Sequence, residues 1–448
     1  MKSIITFLSF LILFLSFSSC GHYKRERMSI TLSEAENRIA ADAEHILGIS
    51  KRVDIKLDSS KVIHSVEEKM DVTMRKNSTM KMDSVVKGYN SFACELLGMA
   101  LKRTRNFNII VSPLSIEMLL SLVANGVDQE ASVEILNFLH IPSIETLNYI
   151  NRYWFELCRD TDSPSEISFS NSIWSREGIN FKKEYVEKME HTCDVSFFPL
   201  DLNSGKAQME INLWISEKTH GMIPNFLKEP LKPSTMVAFY NACFFKDKWR
   251  MPFTKEDTNL SEFKTPKGKI KVPTMHGDPF AILHYTDTYQ AVDLDYSDKT
   301  FCMRIVLPNE GYTLEEVIKE LAVEPYETKR PPVILSMPKF KIRYNLENME
   351  DILKQAGVRS IFSNPQVFLP MIYKTDLLEP IELQQETVIE CDEDGTSVAA
   401  VTGSGWATSS GEPIKYLHFN VNRPFIFLVV EKKSDSIMFC GVVRDPTK

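Results

Sequence analysis

The chemistry that this 448-residue chain could carry is quickly surveyed, because few of its polar residues sit at chemically suggestive spacings. Gly403-Ser404-Gly405 would suit a hydrolase nucleophile if it completed a Gly-x-Ser-x-Gly elbow at a strand-to-helix corner. Thr402 occupies the first glycine's place, and Ser404 lies in a run of small residues rather than at such a corner. The closest histidine pair, His276 and His284, fits neither an i,i+4 metal pair on a helix nor a zinc knuckle. Asp392-Glu393-Asp394 lacks the spacing of a calcium loop and reads as a solvated acidic turn. No phosphate-binding glycine loop is present. Apart from Cys20, the cysteines (Cys94, Cys158, Cys193, Cys243, Cys302, Cys391, Cys440) are widely spaced, with no Cys-x-x-Cys. Most have apolar neighbours, so buried thiols are expected rather than a zinc site or a disulfide framework. The reading is a protein that is not an enzyme, with no catalytic residue, metal or cofactor.

Composition narrows the partners. The formal net charge is -8 with 25% charged residues, which argues against nucleic acid. The densest cationic run, Lys102-Arg103-Thr104-Arg105, reads as the solvated end of a helix. Residues 1–19 form a signal peptide: Lys2 supplies the positive start, and Ile4 to Phe17 form an apolar stretch too short to span a bilayer comfortably. Phe17-Ser18-Ser19-Cys20 is a loose lipobox, which makes Cys20 the lipidation site of an exported, membrane-anchored bacterial envelope protein. The alternative is ordinary cleavage and secretion. Residues 20–81 carry too little apolar mass for a core and read as a polar tether.

Packed elements begin near Val85. Phe92, Leu96, Leu97, Met99 and Ala100 recur at helical spacing, and Ser112-Pro113 opens a second helix that Gly126 ends. Helical patterns follow over 129–139, 145–158, 181–191 and 206–219. Apolar β-rich runs cover Ile167–Trp174, Met236–Phe245, Ala291–Leu294, Phe301–Leu307 and Val333–Lys341, and the chain ends in a hairpin of Phe425–Val430 with Ile437–Val443. There is no βαβ alternation, so the fold class is α+β.

Four ordered blocks carry a family resemblance. Asn108-Ile109-Ile110-Val111-Ser112-Pro113-Leu114-Ser115, Asn241-Ala242-Cys243-Phe244-Phe245-Lys246-Asp247-Lys248-Trp249 with Pro252-Phe253, Val272-Pro273-Thr274-Met275, and Asn422-Arg423-Pro424-Phe425 with Gly441 to Pro446 all resemble serpin signatures. The resemblance covers 82–448. It implies a serpin fold of three β-sheets and about nine helices, monomeric, with an exposed reactive centre loop at about 393–418. It also implies a shutter at Ser112, Ser115, Asn241 and Gln385 (where family members often have histidine), a breach at Trp249, and a hinge at Glu393, Asp394, Gly395, Thr396, Val398 and Ala400. The family mechanism, in which a cleaved loop inserts into a sheet, implies irreversible inhibition of serine, and also cysteine, endopeptidases.

The loop's composition meets that requirement. Residues 396–410 contain no proline, and Thr396, Val398, Ala400 and Thr402 would share one face of a strand, all small enough to enter a sheet. About fifteen residues at ~3.3 Å each give roughly 50 Å of travel. Val398 is bulkier than the family's usual alanine, which favours substrate turnover over trapping. Family loop length places the reactive bond at Ser409-Ser410, within a range of Thr408 to Gly411 because the far end is long. Small residues there suit a protease with a small primary pocket; Trp406 would suit a chymotrypsin-like one but leaves a short inserting strand. The alternative function is a non-inhibitory serpin-fold binding protein whose loop is cut without insertion.

Overall fold

The computed structural model describes residues 83–448 apart from 105–107, 159–164, 203, 233–234, 280, 298, 322–326, 330–331, 347–348, 374–381 and 397–415. The expectations for Cys20, the tether, Val398, Ala400, Thr402 and the reactive bond (Thr408, Ser409, Ser410, Gly411) fall outside the described residues.

Along the chain, helix α1 runs through 83–103. There follow β1 (Ile109–Val111), α2 (Pro113–Ala124), α3 (Gln129–Phe138), α4 (Ile144–Cys158), β2 (Glu166–Ser175), α5 (Lys183–Cys193), β3 (Val195–Pro199), α6 (Gly205–Lys218) and β4 (Val237–Lys248). The second half contains β5 (Asn259–Thr265), β6 (Gly268–Gly277), β7 (Ala281–Tyr285), β8 (Tyr289–Asp295), β9 (Phe301–Pro308), α7 (Leu314–Leu321), β10 (Glu327–Lys329), β11 (Val333–Pro338) and β12 (Phe340–Asn345). It closes with α8 (Met349–Gln355), α9 (Ser360–Ser363), β13 (Glu382–Gln384), β14 (Glu386–Cys391), β15 (Gly395–Thr396), β16 (Leu417–Asn420), β17 (Phe425–Glu431) and β18 (Ser436–Val443).

Among the described residues the strands form four hydrogen-bonded sheets, one of them the two-stranded pair β12-β14. A seven-stranded sheet has the order β1-β18-β17-β9-β8-β7-β10, and a four-stranded sheet the order β16-β11-β6-β5. The main sheet runs β3-β2-β4-β13, with β14 continuing past β13 to pair with β12. The terminal hairpin explains why the seven-stranded sheet is so deeply placed: β9, β17 and β18 are buried at every position, which suits their uninterrupted apolar runs.

Local chemistry sets the key elements. Ser112 caps α2 by accepting the Ser115 N–H, and Pro113 fills the first turn, where a missing N–H costs nothing. All twelve residues of α2 are buried, because this helix runs beneath the main sheet against β4. On the other face of that sheet, α6 lays Ile211 and Ile215 against Trp174, Ala238 and Tyr240.

Three expectations change. The run Val333–Lys341 is two strands in two sheets, parted at Lys339, whose N–H bonds the Pro273 carbonyl. The hairpin β5–β6 escaped the sequence pattern because only four of its seventeen residues are buried and the pattern alternates weakly. Asp392-Glu393-Asp394, read as a solvated turn, carries buried Glu393 and Asp394, each held by a lysine.

Candidate functional site

The site follows from how β4 is paired. One edge of β4 is laddered to β2 over ten residues, Glu166↔Lys246 to Ser175↔Val237. The opposite edge is engaged only at its two ends among the described residues. At one end β13 runs parallel to it, from Glu382↔Ala238 to Gln384↔Tyr240. At the other, Gly395↔Lys248 and Thr396↔Asp247 pair antiparallel. Among the described residues, 241–246 of β4 therefore face a gap toward β14, which pairs instead with β12. Cys243, Phe244 and Phe245 line this cleft from one side and Val388 and Ile389 from the other, with Thr396 at its head.

The head of the gap is densely held. Trp249 donates its indole N–H to the Asp392 carbonyl at 2.8 Å and stacks on Tyr296 at 4.8 Å between ring centroids. Its own backbone N–H bonds the Asp394 carbonyl, and Phe253 N–H bonds that of Glu393. The Glu393 carboxylate receives Lys339 Nζ at 2.7 Å and Thr258 Oγ1 at 2.8 Å. Burial opposes its charge, but these donors outweigh burial and hold the carboxyl below the usual range. Asp394 pairs with Lys255 at 3.0 Å. Asp392 goes the other way: burial raises it, only partly offset by the N–H groups of Asp394 and Gly395 that its Oδ1 accepts.

Beyond this turn, Thr396 is buried and its hydroxyl meets the Tyr296 hydroxyl at 2.7 Å. Gly395 has φ +148°, and a Cβ there would sit 2.3 Å from the Asp247 carbonyl oxygen, so only glycine fits this approach. The residues expected to form an exposed hinge are thus, from Glu393 to Thr396, buried and paired. The physical reason is that their backbone groups find partners on β4 and Trp249 which solvent would otherwise have to supply.

Beneath the foot of the gap, the four residues assigned to a shutter come together. Ser115 Oγ donates to Asn241 Oδ1 at 2.5 Å, Asn241 Nδ2 donates to Asn171 Oδ1 at 2.8 Å, and Ser112 Oγ donates to the Met438 carbonyl at 3.0 Å. Gln385 donates Nε2 to the Ser112 carbonyl at 2.7 Å, while its buried Oε1 has no hydrogen-bond partner among the described residues. Such an orphaned acceptor costs on the order of 1–3 kcal/mol. Sequence reasoning missed Asn171, Tyr296, Lys339 and Thr258. Each lies far along the chain from its partner, so only the tertiary pairing reveals it.

Among the described residues the site holds no nucleophile–base pair. Its strongest donors and acceptors are spent on fixing backbone, and the unfilled element is a strand position. What this arrangement can do is accept a strand.

Comparison with known proteins agrees with the architecture. A family model described as serpin (serine protease inhibitor) matches residues 87–446. Serpin-Z10 of Arabidopsis thaliana is 28% identical over 394 residues, covering 82% of this chain and all of that protein. Among solved structures, Serpin48 of the insect Tenebrio molitor superposes with a TM-score of 0.71 at 25% identity, covering 81% of this chain and 98% of that one. Human thyroxine-binding globulin, solved with thyroxine, has a TM-score of 0.69 at 23% identity, covering 82% and 99%. Its likeness is one of fold. With its matching motifs, its several sheets and nine α-helices among the described residues, the chain belongs to the serpin family.

Proposed function

We propose that this serpin traps serine endopeptidases irreversibly by inserting its cleaved loop between β4 and β14. The observation that carries the reading is the half-paired edge of β4, with Gly395-Thr396 already seated at its head. The protease serine attacks the scissile carbonyl, an ester forms, and the amide breaks, the new amine leaving with the proton. The freed strand then extends the pairing that β15 begins.

Continuing that register sets Val398 opposite Phe245, Ala400 opposite Cys243 and Thr402 opposite Asn241. Directly opposed residues on antiparallel strands share a face. Thr396, Val398, Ala400 and Thr402 would therefore turn toward the core face of β4, where Phe245 meets Tyr296 and Phe439. Six residues, 397–402, fill the gap without disturbing existing pairs. The next three come opposite Tyr240, Phe239 and Ala238, and can enter only by displacing β13. Gly403 and Gly405 then fall opposite Tyr240 and Ala238, the β4 residues packed against α6, where a side chain would have to push that helix aside. The glycines that looked like a nucleophile elbow read better as clearance.

The second reading, a binding protein cleaved without insertion, is favoured by Val398 and by the sharing of this fold with a thyroxine-binding globulin. One experiment separates them. After loop cleavage, about ten new backbone hydrogen bonds at ~1 kcal/mol each should raise Tm by on the order of 10–20 °C. An SDS-stable complex with the cleaving protease should accompany the rise. Equal melting temperatures before and after cleavage support the binding protein instead.

A further inference from the structure

The cationic run that ends α1 is left unused by this reading. Arg103 and Thr104 line a cleft of about 480 Å³ together with Lys228, Arg343, Tyr344, Asn345 and Glu386. Three side chains here carry positive charge and one carries negative. Glu386 is already taken: it receives Arg343 Nε at 2.6 Å and Nη2 at 3.2 Å, a forked pair. Neither Arg103 nor Lys228 has a carboxylate within ion-pair distance among the described residues. Among the described residues the cleft thus holds two cations without an ion-pair partner, facing a third. Thr104 and Tyr344 add hydroxyls, 3.3 Å apart. Arg444 reaches the Thr104 carbonyl from the C-terminal segment at 3.1 Å, which adds positive charge to the same wall.

We infer that this cleft binds a small multivalent oxyanion of the phosphate type. Cations drawn together without counter-charge repel one another, and an anion seated among them removes that repulsion while collecting several charge-assisted hydrogen bonds. Guanidinium groups are suited to the task because their planar donors match two oxygens at once. The site is concave, which favours a free anion over a headgroup at a membrane surface, although both share the chemistry.

Its position gives it a consequence. Lys228 follows Leu227, whose backbone is tied to α6 by Gln208 and Asn212 and whose side chain packs with Ala238 and Tyr240 of β4. Arg343 and Glu386 belong to β12 and β14. The anion would therefore bridge two sides of the seam at which β13 meets β4, and oppose its opening. This consequence, unlike the binding itself, rests on the insertion reading.

The test is titration calorimetry of the full chain with inorganic pyrophosphate at constant ionic strength. Saturable binding is expected, weakened about tenfold or more by Arg103→Glu and by Lys228→Glu, both exposed and replaceable without disturbing the fold. Lys183→Glu, on α5, should leave it unchanged. No saturable binding, binding by the two cleft variants as tight as by the unaltered protein, or association only with phosphatidylglycerol vesicles would overturn the site. Loop-cleaved protein should bind at least tenfold more weakly. Equal affinity before and after cleavage, in protein whose Tm has risen, overturns the bridging consequence alone.

Discussion

The seven-stranded sheet and the main sheet are built from similar residues but finished to different degrees. In the first, each neighbouring pair is antiparallel, and β17 is laddered along both edges, to β9 and to β18. Its buried charges are matched: Arg304 on β9 grips Asp293 on β8 at 2.7 and 2.9 Å, with His284 Nε2 at 2.9 Å from the same carboxylate. In the main sheet, β4 has one edge fully laddered and one that is engaged only at its ends among the described residues. Beneath it lies a buried acceptor, Gln385 Oε1, with no partner among the described residues. The difference shows where free energy remains to be gained. A closed sheet can only lose bonds, whereas an open one can still make them.

The sharpest way to break this comparison is Val398→Arg, at the position that the proposed register sets opposite Phe245. A guanidinium forced among Phe245, Tyr296 and Phe439 would have to be buried against aromatic rings, so inhibition should vanish while loop cleavage continues. The measure is the SDS-stable complex, and full complex formation by this variant would sink the insertion reading. Arg304→Met probes the closed sheet. It leaves Asp293 charged and buried, and should cost about 3–5 kcal/mol of stability in urea unfolding. The share of protease trapped per loop cleaved should not move; if it does, the two sheets are not independent.

Gly395→Ala acts at the head of the open sheet. The added methyl meets the Asp247 carbonyl and a φ that alanine rarely adopts, so the uncleaved protein should lose roughly 1–3 kcal/mol and melt a few degrees lower. The smallest effect expected is on pH. Because Glu393 is held below its ordinary value by Lys339 and Thr258, its contribution is complete above about pH 4.5 and is lost as pH falls through the lowered folded value. Burial works against the charge of Asp293 as well, but Arg304 and His284 prevail and bring it down to about 2, so the closed sheet keeps its ion pair to lower pH. Stability measured against pH should therefore show an acid limb that Glu393→Gln flattens near pH 4. An unchanged limb would mean that the Lys339 pair contributes nothing.

Much of this was legible in the residues. The Ser112-Pro113 cap, the terminal hairpin and the Asn241 to Trp249 block announce themselves through local propensity and spacing, and the family follows from them. The candidate site was legible only in part. Glu393 and Gly395 could be assigned by resemblance, but an acidic turn in isolation reads as solvated, and the lysines that bury it stand at 255 and 339. Likewise, Lys339 divides one apolar run into two strands because it must reach Glu393, a demand invisible in the run itself.

The sequence by itself determined which segments could be strand or helix, which loop could enter a sheet, and the family to which the chain belongs. Those properties depend on side-chain size, alternation and capping over a few residues, all of which are local. Only the tertiary structure decided that, among the described residues, β4 keeps an unfilled edge, Thr396 occupies its head against Tyr296, and Gln385 keeps an unpaired oxygen. Each of these depends on partners a hundred or more residues away, and on hydrogen bonds left unmade, which no local pattern records.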